Sequence, residues 1–336
     1  MIFFQITPPE SILQSIAKSV IPGDDNADPI IKTIAWNDGS DGFIYHYSMI
    51  KLFVSDIDGT LVNQDGEFEE ETIKAIKDFQ NQGGTFMVAT GRNIWELPEI
   101  TSRVDHVIFN CANGSILCEE DGTEILSYEL DEDKILRFYE FGKKHDLIMQ
   151  FHCRDVSIIQ NDKDRFHKHA VNAIMRDYPK TEMEAEALYE RIYVSEHTII
   201  SSPLEEILKH EILKLEYLFM DKEQFEKLFP ILKEEFFDCS IADRTFLYNV
   251  EFSNEKCDKG RIIKEYCRIK GIKENEVAVI GDSGNDLSMI RLFENSYAMG
   301  NASKEVKKAV SFPADDNSHL GVSKVLEQIM KENKKA

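Results

Sequence analysis

Three short apolar runs in this sequence all stop at reactive polar groups. Residues 51–55 read KLFVS and run into Asp56-Ile57-Asp58-Gly59-Thr60. Residues 85–90 read TFMVAT and lead to Gly91-Arg92, and 276–281 read EVAVIG and lead to Asp282-Ser283-Gly284-Asn285-Asp286. Apolarity that is continuous rather than alternating suits strands buried on both faces, as in a parallel sheet. Helical spacing separates the runs: Ile73, Ile76 and Phe79 follow acidic residues and precede Gly83, and a second helix is expected over 258–271. Further strands are expected at 106–111 and 297–300, with helices at 286–293 and near the C-terminus. Strands alternating with helices predict an α/β chain, and ligands of open α/β sheets bind beyond the carboxyl ends of the strands.

The alternation breaks off between 115 and 252, where periodicities mix and charge density rises. That pattern predicts an α+β cap inserted into a core made of 49–114 and 253–336. Residues 1–48 are punctuated by PPE, PGDDNADP and NDGSDG, with IIKTIAW and FIYHY spaced for a hairpin. They read as an N-terminal extension, the catalytic unit beginning at Met49.

A net charge of −22 over 336 residues repels phosphate backbones and anionic lipid surfaces, so neither nucleic acid nor membrane is an expected partner. With 42% hydrophobic and 30% charged residues, the chain has an ordinary globular composition. The six cysteines form no C-x-x-C pair, which predicts free thiols and a cytoplasmic location.

Strand alternation predicts that Asp56 and Asp58 point to one side while Ile57 points away. Two carboxylates held together resist ionisation unless a cation is near. With Asp282 from another strand end, they form a hard oxygen set suited to Mg²⁺. Thr90, Gly91 and Lys259 offer a hydroxyl, a backbone N–H and an ammonium for a phosphoryl group.

In order, Asp56–Thr60, Thr90–Arg92, Lys259–Gly260 and Gly281–Asp286 resemble the four motifs of the haloacid dehalogenase-like (HAD) phosphatases. The stretches IFNCANGSIL and AMGNASKEVKKAV look like the Cof-type branch, in which a cap is inserted between the second and third motifs. The resemblance spans about residues 49–333. It implies a Rossmann-like core, an Asp56 nucleophile that forms an aspartyl-phosphate, and Asp58 as general acid and base. It further implies a Mg²⁺ site of Asp56, the Ile57 carbonyl and Asp282 with Asp286 in support, Asp58 standing beside them. Thr90, Gly91, Lys259 and Asn285 would bind phosphate, with Arg92 and Asn113 reaching substrate. The implied activity is hydrolysis of a small phosphorylated metabolite, a sugar phosphate or nucleotide-like cofactor. Mutase or phosphotransferase chemistry, and a non-catalytic ligand-binding homologue, are the alternatives.

Several residues carry plainer readings. Arg92 can pair with nearby acids, Asn113-Gly114 can be a simple turn, and Lys256 is a second lysine beside Lys259. His167 and His169 read as a solvated polar segment and Trp95 as packing. Residues 225–237 have the core spacing of a cap helix lying on a sheet.

Overall fold

The computed structural model describes residues 49–63, 66–160, 162–177, 181–244 and 248–335. The reading of 1–48 lies outside the described residues.

The larger sheet gathers β1 (Leu52–Ser55), β2 (Thr85–Ala89), β3 (Val107–Cys111), β4 (Ile116–Cys118) and β5 (Glu124–Ser127), and the late strands β12 (Val277–Gly281), β13 (Asn295–Ala298) and β14 (Phe312–Pro313). Its order is β14-β13-β12-β1-β2-β3-β4-β5, parallel from β14 to β3 and antiparallel from β3 to β5. The central strands β1 and β12 are buried throughout, which explains their unbroken apolar runs. Phe53 of β1 meets Phe79 of helix α1 (Glu70–Asn81) with ring centroids 6.3 Å apart. Placing β1 beside β12 brings Asp56 next to the strand that delivers Asp282, although 226 positions separate the two in sequence.

The second sheet is built from β6 (Ile148–Cys153), β7 (Ser157–Gln160), β8 (Thr198–Ile200), β9 (Ile212–Leu218), β10 (Cys239–Arg244) and β11 (Asn249–Asn254). Its order is β10-β11-β9-β6-β7-β8, antiparallel except for β7 with β8. The boundary expected at 115 is therefore corrected. β4 and β5 pair onto β3 and extend the core sheet, and the inserted α+β unit starts after them with α2 (Glu132–Lys144). Strand periodicity alone cannot say which sheet a hairpin joins.

One face of the cap sheet, carrying Met149, Phe151, Leu215, Tyr217 and Phe252, packs with α2 and α5 (Lys222–Glu235). Phe138 stacks on Tyr217 there with centroids 4.0 Å apart, and Phe225, Leu228 and Leu232 are buried as the spacing predicts. The opposite face is divided. Ile148 and Ile159 lie under α3 (Lys163–Asp177) and α4 (Glu182–Tyr193) in a second apolar cluster. Gln150, His152, Lys214, Glu216, Asn249 and Glu251 share that face by strand parity and are all buried.

His167 bonds Glu186 at 2.7 Å on the α3–α4 pair. His169 is buried, contrary to the solvated reading, because it lies one helical turn from Phe166 on the inward side of α3. The six cysteines are free thiols, and five are buried. Among the described residues, no helix is long and apolar enough to cross a membrane.

Candidate active site

Asp56 directly follows β1, its N–H donating to Ile280 O at 3.1 Å, so sheet pairing holds the residue that ends the strand. Lys259 opens helix α6 (Lys259–Lys270), whose N-terminus is fixed by Asp258 accepting from Arg261 N at 2.8 Å. The Lys259 side chain is fully buried and donates to Asp56 Oδ1 and Asp286 Oδ1, both at 2.7 Å. Asp286 Oδ2 accepts the backbone N–H groups of Asp282 at 2.9 Å and Ser283 at 3.0 Å. Thr60 donates its hydroxyl to Asp282 Oδ1 at 3.4 Å. One ligand oxygen from each of Asp56, Asp282 and Asp286 lies within 4.8 Å of the others.

This cluster is short of positive charge. Burial, then repulsion from Asp286, lifts the Asp56 carboxyl well above its usual range although Lys259 pulls it down. Burial and Asp286 likewise raise Asp282 to about 7. Burial opposes the Lys259 ammonium, but Asp286 and Asp56 outweigh it and raise its pKa. Three carboxylates around one ammonium leave room for a divalent cation, and all-oxygen donors match Mg²⁺. The residues present fit that ion.

Asp58 is not in the buried trio. The chain turns over Ile57–Leu61, with Gly59 at φ 80°, and brings the half-exposed Asp58 carboxylate to the rim, where Arg92 binds it through two nitrogens. Strand alternation therefore applies to Asp56 but not beyond it, and Arg92 takes the acid-pairing role. The Ile57 carbonyl accepts from Val62 N at 3.2 Å and closes this turn. Thr90 is buried and its hydroxyl accepts the Arg92 N–H at 3.1 Å. Asn285 donates to Asn113 Oδ1 at 3.3 Å. Lys256 lies over the Tyr128 ring, 5.8 Å from its centroid, which leaves the site to Lys259. Trp95 stacks on His197 of the cap with centroids 4.8 Å apart, as packing.

Gly59 is a requirement of the site. A Cβ there would lie 2.5 Å from Asp282 Oδ2 on a backbone that side chains rarely adopt. Gly59→Ala is expected to destabilise the metal-free protein by about 1–3 kcal/mol, read from its urea midpoint, and to weaken divalent-cation binding.

A family model of haloacid dehalogenase-like hydrolases matches residues 53–326. The chain belongs to that family. Among curated relatives, 5-amino-6-(5-phospho-D-ribitylamino)uracil phosphatase YbjI of Escherichia coli (strain K12) is 26% identical over 287 residues, 84% of this chain and 97% of its own. A haloacid dehalogenase-like hydrolase structure from B. subtilis superposes with a TM-score of 0.73 at 20% identity, covering 83% of this chain and 99% of that one. The subclass IIB sugar phosphatase BT4131 gives 0.66 at 21% identity over the same shares. The chain is thus a haloacid dehalogenase-like hydrolase by family, and curated relatives that it matches over 84% of its length are named phosphatases.

Its motif residues were legible as charges at strand ends. Sequence reasoning missed Thr60 as a partner of Asp282, and it missed Lys214 and Glu251 of the cap. Lys214 donates to Gly91 O at 3.0 Å and to Glu251 Oε1 at 2.8 Å, and Glu251 Oε2 accepts from Asn113 at 2.6 Å. The available signal was charge within strands, Lys214 and Glu216 in ILKLEYL and Glu251 in NVEFSN.

Proposed function

We propose that the chain is a Mg²⁺-dependent phosphatase working through an aspartyl-phosphate on Asp56. The observation that carries this is the buried Asp56 carboxylate held by Lys259 beside Asp282 and Asp286. Asp56 and Asp282 would hold the ion with Asp286 in support, and the ion would neutralise phosphoryl oxygens. Asp56 attacks phosphorus as the bond to the leaving alcohol breaks, and Asp58 gives that alcohol its proton. Asp58 then takes a proton from the water that releases phosphate from Asp56. Thr90, Gly91, Lys259 and Asn285 bind the phosphoryl group. Arg92, with 40% of its side chain exposed, is placed to exchange Asp58 for a substrate oxygen.

The polar half of the cap face favours a small hydroxylated leaving group. Glu216 is buried, which alone would raise its carboxyl, but the His152 hydrogen bond and the Lys214 charge pull it below the usual value. An ionised Glu216 and the amides of Gln150 and Asn249 offer acceptors for hydroxyls. The ribitylamino ester in the name of one relative and the sugar phosphatase activity in the name of another belong to that chemical class. The free buried thiols support a cytoplasmic location.

The test is a phosphate-release screen over sugar phosphates, polyol phosphates and nucleotides with Mg²⁺ or chelator. Stoichiometric phosphate from a sugar or polyol ester, lost on chelation, is the expected result. Transfer to an added acceptor sugar without phosphate release would replace hydrolysis by transferase chemistry.

A further inference from the structure

We propose that the cap's buried Lys214–Glu251 pair is a positioning element of the anion-binding loops, so that the phosphate site is complete only with the cap in place. This inference rests on the phosphatase reading above.

Lys214 comes from β9 and Glu251 from β11, strands of the inserted sheet, and both side chains are at most 5% exposed. The Lys214 ammonium donates to the carbonyl of Gly91, a core residue in the loop expected to offer backbone N–H groups to phosphate. Holding that carbonyl fixes the Gly91–Arg92 peptide plane, whose N–H donates to the Thr90 hydroxyl at 3.1 Å. Glu251 acts on a second loop. A carboxylate only accepts hydrogen bonds, so Glu251 Oε2 fixes the Asn113 side chain with Nδ2 toward the cap and Oδ1 toward Asn285 Nδ2. Asn285 lies in the Gly281–Asp286 segment, three residues from Asp282. One cap ion pair thus reaches both loops that flank the carboxylate cluster.

The backbone at Asn113 agrees. Ala112, Asn113 and Gly114 all have positive φ, at 49°, 56° and 97°. A Cβ on Gly114 would sit 2.8 Å from Asp258 O, the residue that caps α6 ahead of Lys259. Two non-glycine residues in the left-handed region store strain, and such strain persists where surroundings over-determine it. Here the turn places one amide between Glu251 and Asn285. Stability does not account for the pair, because well-packed apolar residues commonly replace a buried ion pair without loss.

The experiment uses the full chain and inorganic phosphate as probe, titrated with Mg²⁺ present. Lys214→Met, Glu251→Gln, Lys214→Arg and the double variant Lys214→Met/Glu251→Leu are compared by calorimetry, near-UV circular dichroism and ester hydrolysis. Lys214→Met, Glu251→Gln and the double variant are expected to fold, to bind phosphate at least about tenfold more weakly, and to lose kcat more than they raise KM. Lys214→Arg, which keeps the charge and the donors, is expected to retain most of both. Should one single variant fail to fold, the double variant, which removes both members of the pair together, carries the comparison. A folded double variant with wild-type phosphate affinity and kcat overturns the proposal and leaves the phosphatase reading intact. Weakened phosphate binding in the variants of a wild-type chain that hydrolyses no ester would instead overturn that reading and leave the positioning role standing.

Discussion

Asp56→Asn is expected to lower kcat by at least about 10⁴-fold while the protein stays folded and melts no lower than the wild type. The loss follows from removing the carboxylate proposed as nucleophile, which Lys259 holds at 2.7 Å, since a carboxamide oxygen neither attacks phosphorus efficiently nor releases it to water. The unchanged or higher melting temperature has a separate cause. Burial and the facing Asp286 penalise an ionised Asp56 in the folded chain, and asparagine has the same shape without the charge. Lys259 keeps Asp286 as its counter-charge and the Asn Oδ1 as an acceptor. Each kcal/mol relieved corresponds to about 2–4 °C in a chain of this size. Phosphate release and thermal unfolding in chelator, run on the same preparation, measure both effects. Turnover above about 1% of wild type in Asp56→Asn would remove Asp56 from the nucleophile role.

What the sequence revealed and what it hid divide along a physical line. Asp56, Asp282 and Lys259 were readable because local rules place them: two continuous apolar strands stop at the carboxylates, and a capped helix begins at the lysine. Asp58 stands two residues past the last residues of a strand that ends at Ser55, in a turn whose geometry Gly59 sets, so strand alternation does not reach it. The segment 116–127 was assigned to the cap because its short strands carry no mark of the sheet they join, and only pairing with β3 decides it. Lys214 and Glu251 were hidden for the same reason. Period within each strand shows that Lys214 shares a face with Glu216 and Glu251 with Asn249, but not that the two strands pair or that their shared face meets Gly91 and Asn113 of the other sheet.

Lys259→Met should produce the largest combined loss, in stability and in turnover together. Methionine reproduces much of the lysine stem but leaves Asp56 and Asp286, both buried, facing each other and Asp282 with no ammonium between them. Breaking a buried charge pair by removing one partner costs about 3–5 kcal/mol, a fall in melting temperature on the order of 10 °C. The pH dependence has a definite sign in metal-free protein. Burial and like charge already hold Asp282 at about 7, above its unfolded value near 3.8, so the folded state holds the proton more tightly than the unfolded one. The associated stability is fully present below about pH 4 and is lost as pH rises through about 7. Removing Lys259 takes away a charge that lowers both Asp56 and Asp282, so the deficit against wild type should be widest above pH 7 and shrink at pH 5. Added Mg²⁺ is expected to recover part of the stability, because it supplies positive charge to the same carboxylates, yet little of kcat, because the ammonium that steadies the nucleophile is gone. Thermal melts of both proteins at pH 5 and pH 8, with chelator and then with Mg²⁺, make the comparison. A variant that melts with the wild type at pH 8 in chelator would mean that the three carboxylates are not held together by Lys259.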